Sequence, residues 1–278
     1  MKLESGQVAV VTGGASGLGF GLAQAFAARG LHVVVGDVET AALADAVARI
    51  EIEGGSAIGV LTDVRFAEQL EALASATIER FGRVDVICNN AGVVTRERAR
   101  TWEVPLHDWQ WVLRVNLDGV FNGIHAFVPH LIAQNSGHVV NTASMAGIST
   151  GPGHAPYMAS KHAVVAMSEG LAAELAASAP NVGVTIVCPG GVLGNMATAE
   201  RNRPPELQPI GPARETTPVE GFMEWCAGMS GEQMLSGRDA AELVIADVEA
   251  NKLHSLPNGS RVAPRAWIDR LLADLPAT

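Results

Sequence analysis

Tyr157 is the only tyrosine among 278 residues, and Lys161 follows it by four positions in the stretch APYMASKHA. A free phenol has a pKa near 10, too high for an efficient base at neutral pH. A cation within about 4–6 Å favours the phenolate. Residues i and i+4 share one face of a helix, so on a helix the Lys161 ammonium stands where it can make Tyr157 acidic. Bringing a phenol into the neutral range takes roughly 3–4 kcal/mol of differential stabilisation, which an ammonium in a partly dry site can supply. Such a phenol can accept the proton of a secondary alcohol while hydride leaves the carbon. Ser144, 13 residues upstream at the end of a strand-like run, can hydrogen-bond the same oxygen. Asn116, in RVNLDGV, sits inside a long apolar helical pattern and is placed to hold a water that relays protons from Lys161. Singly, each has a plainer role: a packed aromatic, a strand-end cap, a helix-interior amide.

The hydride needs an acceptor, and the stretch VAVVTGGASGLGFGLAQAF offers a place for one. It reads as a strand, a glycine turn and a helix, with Gly13, Gly17 and Gly19 in a G-x-x-x-G-x-G arrangement. Glycines permit a tight turn, let the backbone approach a pyrophosphate, and leave helix N-terminal amides pointing at the anion. No Gly-Lys-Ser/Thr follows, which excludes a P-loop. Asp37 stands 18 residues after Gly19, at the end of the second strand-like run. A carboxylate there accepts both hydroxyls of an adenosine ribose and repels a 2′-phosphate. Ala15, Ser16 and Val38 are uncharged, and the sequence shows no nearby cation for that phosphate, so the expected cofactor is NAD rather than NADP. A helix N-cap is the plainer role for Asp37.

The elements that must position these residues are legible as an alternation. Val8–Thr12, Leu31–Gly36, Ala57–Leu61, Val84–Cys88, His138–Thr142 and Gly183–Cys188 are short runs apolar on both faces, as strands of a parallel sheet covered on both sides are. Helical patterns separate them. The longest, Leu106–Gln134, carries Trp109, Leu113, Leu117, Val120, Phe121, Ile124, Val128 and Leu131 at helical spacing, and Pro129 is expected to kink it. The reading is an α/β fold, doubly wound, with residues 1–278 forming one domain. The proline-rich stretch over 194–237 breaks the rhythm and reads as a lid.

These pieces together resemble the short-chain dehydrogenase/reductase family. The matching residues are T-G-G-A-S-G-L-G at 12–19, Asp37, Asp63-Val64, N-N-A-G at 89–92, Asn116, Ser144, Y-M-A-S-K at 157–161 and P-G at 189–190. The resemblance implies a Rossmann-type sheet of about seven strands in three layers and a nicotinamide cofactor. It implies cofactor contacts at Gly13, Ser16, Gly17, Leu18, Gly19, Asp37, Asp63, Val64, Asn90, Ala91, Gly92, Tyr157, Lys161, Pro189, Gly190 and Val192. In such proteins Asp63 bonds the adenine, Val64 packs on it, Asn90 stabilises the central strand and Gly92 lets the cofactor pass. The catalytic set is Asn116, Ser144, Tyr157 and Lys161. One position departs: the family often has threonine four residues after P-G, holding the nicotinamide carboxamide, and here Gly194 stands there, leaving that contact to Asn195 or to a backbone group.

The expected activity is NAD-dependent oxidation of a secondary alcohol, or the reverse reduction. Residues that could face a substrate are mostly apolar: Val94, Trp102, Met145, Ala146, Ile148, Leu193 and Met196, with Phe222, Met223, Trp225, Met229 and Met234 in the lid. They suit a bulky hydrophobic substrate such as a steroid, terpenoid or aromatic alcohol. Arg96, Arg98, Arg100, Arg201 and Arg203 read as solvated charges, or as partners of a carboxylate or CoA. Alternatives are an NADPH-dependent 3-ketoacyl-thioester reductase and a non-catalytic NAD-binding sensor or scaffold. A net charge of −10 argues against nucleic acid. Between Asp118 and Lys161 there is no charged residue, but polar residues and Pro129 interrupt the stretch, so no membrane span is expected. Three cysteines without paired spacing and eight scattered histidines point to neither disulfides nor a metal. His154 reads as a pocket or loop residue. With no secretory pattern at the start, a cytoplasmic protein is expected. The resemblance adds a homotetramer or homodimer built on the Leu106–Gln134 helix and the helix after Tyr157.

Overall fold

In the computed structural model, residues 1–95, 99–208 and 234–273 are described. The valine-rich runs become strands β1 (Val8–Thr12), β2 (His32–Asp37), β3 (Ser56–Leu61), β4 (Val86–Asn89), β5 (Gly137–Thr142), β6 (Val182–Val187) and β7 (His254–Ser255). All pair in parallel, in the order β3-β2-β1-β4-β5-β6-β7. The chain winds outward through β1, β2 and β3, then crosses back to β4 and winds the other way. That reversal between β1 and β4 opens a crevice at their carboxyl ends, where open α/β sheets bind ligands.

Helices α1 (Gly17–Ala27), α2 (Thr40–Ile52) and α7 (Gly237–Glu249) cover one face of the sheet, and their apolar sides close a core around Phe26, Ile50, Val33 and Val244. On the other face lie α3 (Ala67–Phe81), α4 (Leu106–Leu113), α5 (Gly119–Gln134) and α6 (Ala155–Ser178), packed on Leu70, Trp111, Phe127 and Val139. A last helix, α8 (Val262–Ala273), follows β7. The result is the three-layer Rossmann-type sheet of seven strands that the sequence called for.

Three local readings need correction. β3 is an edge strand in which only Ala57 is buried and Leu61 is 60% exposed, so it is not apolar-covered on both faces. β7 has only two residues, too few for a periodic signal. The Leu106–Gln134 helix is interrupted by a π turn at Arg114–Asp118, while α5 runs on through Pro129. A π turn adds a residue to the helical repeat. Trp109 and Phe121 therefore face outward, and Trp111, Val112, Val115 and Phe127 take the buried positions.

Candidate active site

The glycine turn is laced to β4. Gly13 has φ +60°, and a Cβ there would stand 2.8 Å from the Ala91 Cα. Thr12 Oγ1 accepts from the backbone N–H groups of Asn90 (2.9 Å) and Ala91 (3.2 Å). Asn90 Nδ2 donates back to the carbonyls of Thr12 (3.0 Å) and Gly13 (3.3 Å). Asn90 thus ties the end of β1 to the end of β4. α1 begins at Gly17, and its N-cap Ser16 makes no side-chain capping bond, so the first-turn amides are left for an anion.

Asp37 ends β2 and turns back toward this loop. Its Oδ2 accepts from the Ala15 N–H at 3.0 Å and its Oδ1 from the Glu39 N–H at 3.1 Å. Burial pushes the carboxyl above its ordinary pKa, and those backbone bonds oppose the rise. The N-cap of α2 is Glu39, so Asp37 does not serve as that helix's cap. Asp63 is engaged by Arg65, whose Nε lies 3.0 Å from both carboxylate oxygens, and Val64 is buried beside it against Gly119. Asp37, Asp63, the glycine turn, Asn90 to Gly92, Pro189, Gly190, Val192, Ser144, Tyr157 and Lys161 line one continuous cleft of about 1510 Å³, open solvent included.

The proton-handling residues meet at the other end of that cleft. Tyr157 and Lys161 lie on the first turns of α6, both buried, with Lys161 Nζ 5.7 Å from the Tyr157 ring centroid. The ammonium donates to the Thr142 carbonyl at the end of β5 (2.8 Å), which keeps two of its three hydrogens for other partners. Burial lowers the Lys161 pKa to about 8, opposed by the Cys188 thiol nearby. Cys188 is itself pushed up to about 11 by burial, an inert thiol, and Cys88 is likewise buried and free. Ser144 Oγ accepts from the Ala146 N–H (3.1 Å), so it caps a short turn as well as lining the cleft. Its O–H remains able to donate.

The Asn116 side chain is held on both of its polar atoms. It sits in the π turn, where its Oδ1 accepts from the Val93 N–H (2.8 Å) and its Nδ2 donates to the Val93 carbonyl (2.9 Å) and to Ser160 Oγ (3.2 Å). Both amide hydrogens are therefore spent, and the side chain pins the β4 exit rather than donating to a water. Asn116 does not line the cleft, although its Oδ1 lies, like Lys161 Nζ, 3.5 Å from where a Cβ on Gly92 would be.

A strap crosses the cleft after β6. It leaves and returns beside one bridge, Val192 to Leu235, and carries two short 3₁₀ turns, Met196–Asn202 and Pro205–Leu207. The expected lid spans 194–237, of which 209–233 lies outside the described residues. Three side chains anchor the described part. Arg201 pairs with Glu39, Arg65 reaches Glu206 at 2.9 Å, and Arg203 pairs with Asp108 at 2.8 Å while stacking 4.2 Å above the Trp111 ring. Arg203 is only 2% exposed at its side chain, so it is not the solvated charge the sequence implied, while Arg201 is exposed at the rim and paired with Glu39. The structure also gives a reason for Gly194: a Cβ there would stand 2.9 Å from the Gly17 Cα. The strap presses its backbone against the glycine turn, and a threonine would push the two apart. That approach, with the free amides of α1, makes a cradle fitting a dinucleotide pyrophosphate. Asn195 lines the cleft next to it.

The wall near Tyr157 is apolar. Of the residues the sequence nominated, Leu193, Met196 and Met234 line the cleft. Val94, Met145 and Ala146 are buried in the core, Trp102 is 79% exposed, and neither they nor Ile148 line the cleft. His154 is buried at the start of α6, away from the cleft lining. Phe222, Met223, Trp225, Met229, Arg96 and Arg98 lie outside the described residues. Val93, Trp111 and Val115 join the wall unannounced. The DWQWVLRVN stretch held the signal, but the π turn hid which tryptophan faces inward. Among the described residues, no cluster of side chains suits a metal ion, and no helix is long and apolar enough to cross a membrane.

Comparison with known proteins agrees with this geometry. A family model described as short chain dehydrogenase matches residues 7–205. The chain is 40% identical over 221 residues to a 3-oxoacyl-[acyl-carrier-protein] reductase of Synechocystis, covering 79% of this chain and 87% of that one. It is 39% identical over 271 residues to a 1-deoxy-11-beta-hydroxypentalenate dehydrogenase of Streptomyces exfoliatus, covering 97% and 89%. A solved short-chain dehydrogenase/reductase of Burkholderia phymatum, in complex with NAD, superposes with a TM-score of 0.89 at 35% identity, covering 100% and 99%.

Proposed function

Because the chain belongs to the short-chain dehydrogenase/reductase family, we propose that it transfers hydride between NAD(H) and a bulky, apolar secondary alcohol or ketone. The observation that carries this reading is one cleft with Tyr157, Lys161 and Ser144 at one end and Asp37 at the other. A nicotinamide bound there supplies the hydride acceptor or donor. Tyr157 Oη holds the proton that leaves or returns to the substrate oxygen. Lys161, charged and dry, favours the phenolate. Ser144 orients the substrate oxygen, and Asn116 acts as a positioning residue by fixing the β4 exit through Val93. Asp37 selects NAD by accepting the ribose hydroxyls. Val93, Trp111, Val115 and Met196 support an apolar substrate; the Streptomyces relative is named for 1-deoxy-11-beta-hydroxypentalenate.

We read residues 1–278 as one Rossmann-type unit whose 194–237 segment is the substrate lid, acting in the cytoplasm as a homotetramer or homodimer. A panel of hydrophobic secondary alcohols offered with NAD+ or NADP+, followed by reduced-nicotinamide absorbance, tests the reading. Turnover with NAD+ on bulky apolar alcohols is expected. Preference for NADPH with a ketoacyl thioester would instead favour the second reading, which the Synechocystis relative's name supports. NAD+ binding without hydride transfer across the panel would leave a sensor or scaffold.

A further inference from the structure

The adenosine end of the cleft holds a cation that the sequence did not reveal. Arg201 comes from the strap, 162 positions away from Glu39, and both line the cleft with Asp37 and Val38. Arg201 Nε donates to Glu39 Oε2 at 3.1 Å, and its Nη2 donates to Glu39 Oε1. Asn202 Nδ2 donates to the same Oε1 at 2.9 Å. Glu39 is the N-cap residue of α2, yet its side chain makes no capping bond. Its carboxylate is directed across the cleft rim instead. The other guanidinium of this rim, Arg65, is held by Asp63 and Glu206.

A 2′-phosphate on the adenosine ribose would arrive beside Asp37, and a guanidinium is the group best shaped to receive it. Arg201 is within the same wall, but Glu39 occupies its Nε and Nη2 donors, while Nη1 donates inside the strap to the Asn195 and Thr198 carbonyls. We propose that Glu39 is a specificity-determining residue: by consuming the Arg201 guanidinium, it denies a 2′-phosphate its partner and adds a second negative charge to the one on Asp37. This deepens the NAD preference proposed above and rests on it. Discrimination then depends on the Glu39–Arg201 pair as well as on Asp37.

The test is binding of two adenosine fragments, 5′-AMP and 2′,5′-ADP, by calorimetry at fixed ionic strength, with no turnover involved. In the wild type 5′-AMP is expected to bind more tightly. Glu39→Gln keeps the side-chain shape, frees Arg201, and is expected to improve 2′,5′-ADP relative to 5′-AMP by about tenfold or more. Glu39→Gln with Arg201→Met is expected to lose that gain. Arg201→Met alone leaves Glu39 unpaired and is expected to sharpen discrimination, so the inference stays testable if one variant misfolds. An unchanged ratio in Glu39→Gln would overturn it. So would a gain that survives Arg201→Met, or an equal loss for both fragments, which would make the pair a strap fastener only. A wild type that itself prefers 2′,5′-ADP would sink the NAD reading, while the shift between variants would still report on Glu39.

Discussion

Lys161 is asked to be charged in a place where charge is costly. Its side chain is buried, and burial brings its pKa down to about 8. The ammonium is present below that value and lost above it, so the support it gives the Tyr157 phenolate fades on the alkaline side. kcat/KM for NAD+, which reports the free enzyme, is therefore expected to fall above about pH 8. Lys161→Arg keeps its charge at any accessible pH, so the alkaline limb is expected to disappear from its profile even where the overall rate is lower. An identical limb in both proteins would assign it to another group. Gly194 makes a second residue-scale prediction. Gly194→Thr restores the family's commoner residue, yet forces a side chain toward Gly17, and is expected to weaken NAD+ binding by about tenfold or more, since the dinucleotide cradle must open. Tighter binding would show that the threonine is tolerated. Tyr157, Lys161 and Ser144, which share the cleft, were legible as candidates in the sequence because residue type and spacing single them out. The Asn116 partners were not, since Val93 meets that amide only through the crossing of β4 and the π turn.

At the scale of elements, the strands were readable wherever both faces are covered, as in β1, where every residue is buried. β3 was legible as a strand but not as an edge, since its run gives no sign that one side is uncovered, and the helical reading failed where the repeat is broken, at Arg114–Asp118. The strap was readable as irregular, but its anchors were not, because ion pairs such as Arg203–Asp108 join distant parts of the chain. That pair is nearly sealed from water, with side chains 2% and 6% exposed. Arg203 is shared, however: Glu200 takes its Nε and Nη2, and the Leu207 carbonyl accepts from Nη1. Asp108→Ala therefore leaves the guanidinium a carboxylate partner and is expected to cost about 1 kcal/mol of stability in urea unfolding. It is also expected to raise KM for apolar substrates, because it loosens Arg203 over Trp111. A stability loss with KM unchanged would separate the anchor from the substrate wall.

At the scale of the whole molecule, an apolar groove among the described residues bears on assembly. A shallow groove between α5 and α6 is lined by Phe121, Ile124, Met167 and Leu171, and Phe121 is 55% exposed. Two such helices from each copy would bury one another in the proposed homotetramer or homodimer. Light scattering at micromolar concentration is expected to give a multiple of 28.9 kDa, and Phe121→Glu to shift the mass toward the monomer. A wild-type monomer would refute the assembly while leaving the cleft intact. The net charge of −10 opposes binding of a polyanion and favours solubility.

The proton path is tested most directly by Tyr157→Phe, which removes one oxygen from a side chain that otherwise keeps its packing. Hydride transfer would be followed as reduced nicotinamide in a single turnover, with NAD+ affinity measured on the same protein. Transfer is expected to fall by about 10³-fold or more with NAD+ affinity little changed. Transfer at near wild-type rate would contradict the account, because the proton would then be leaving through some other group.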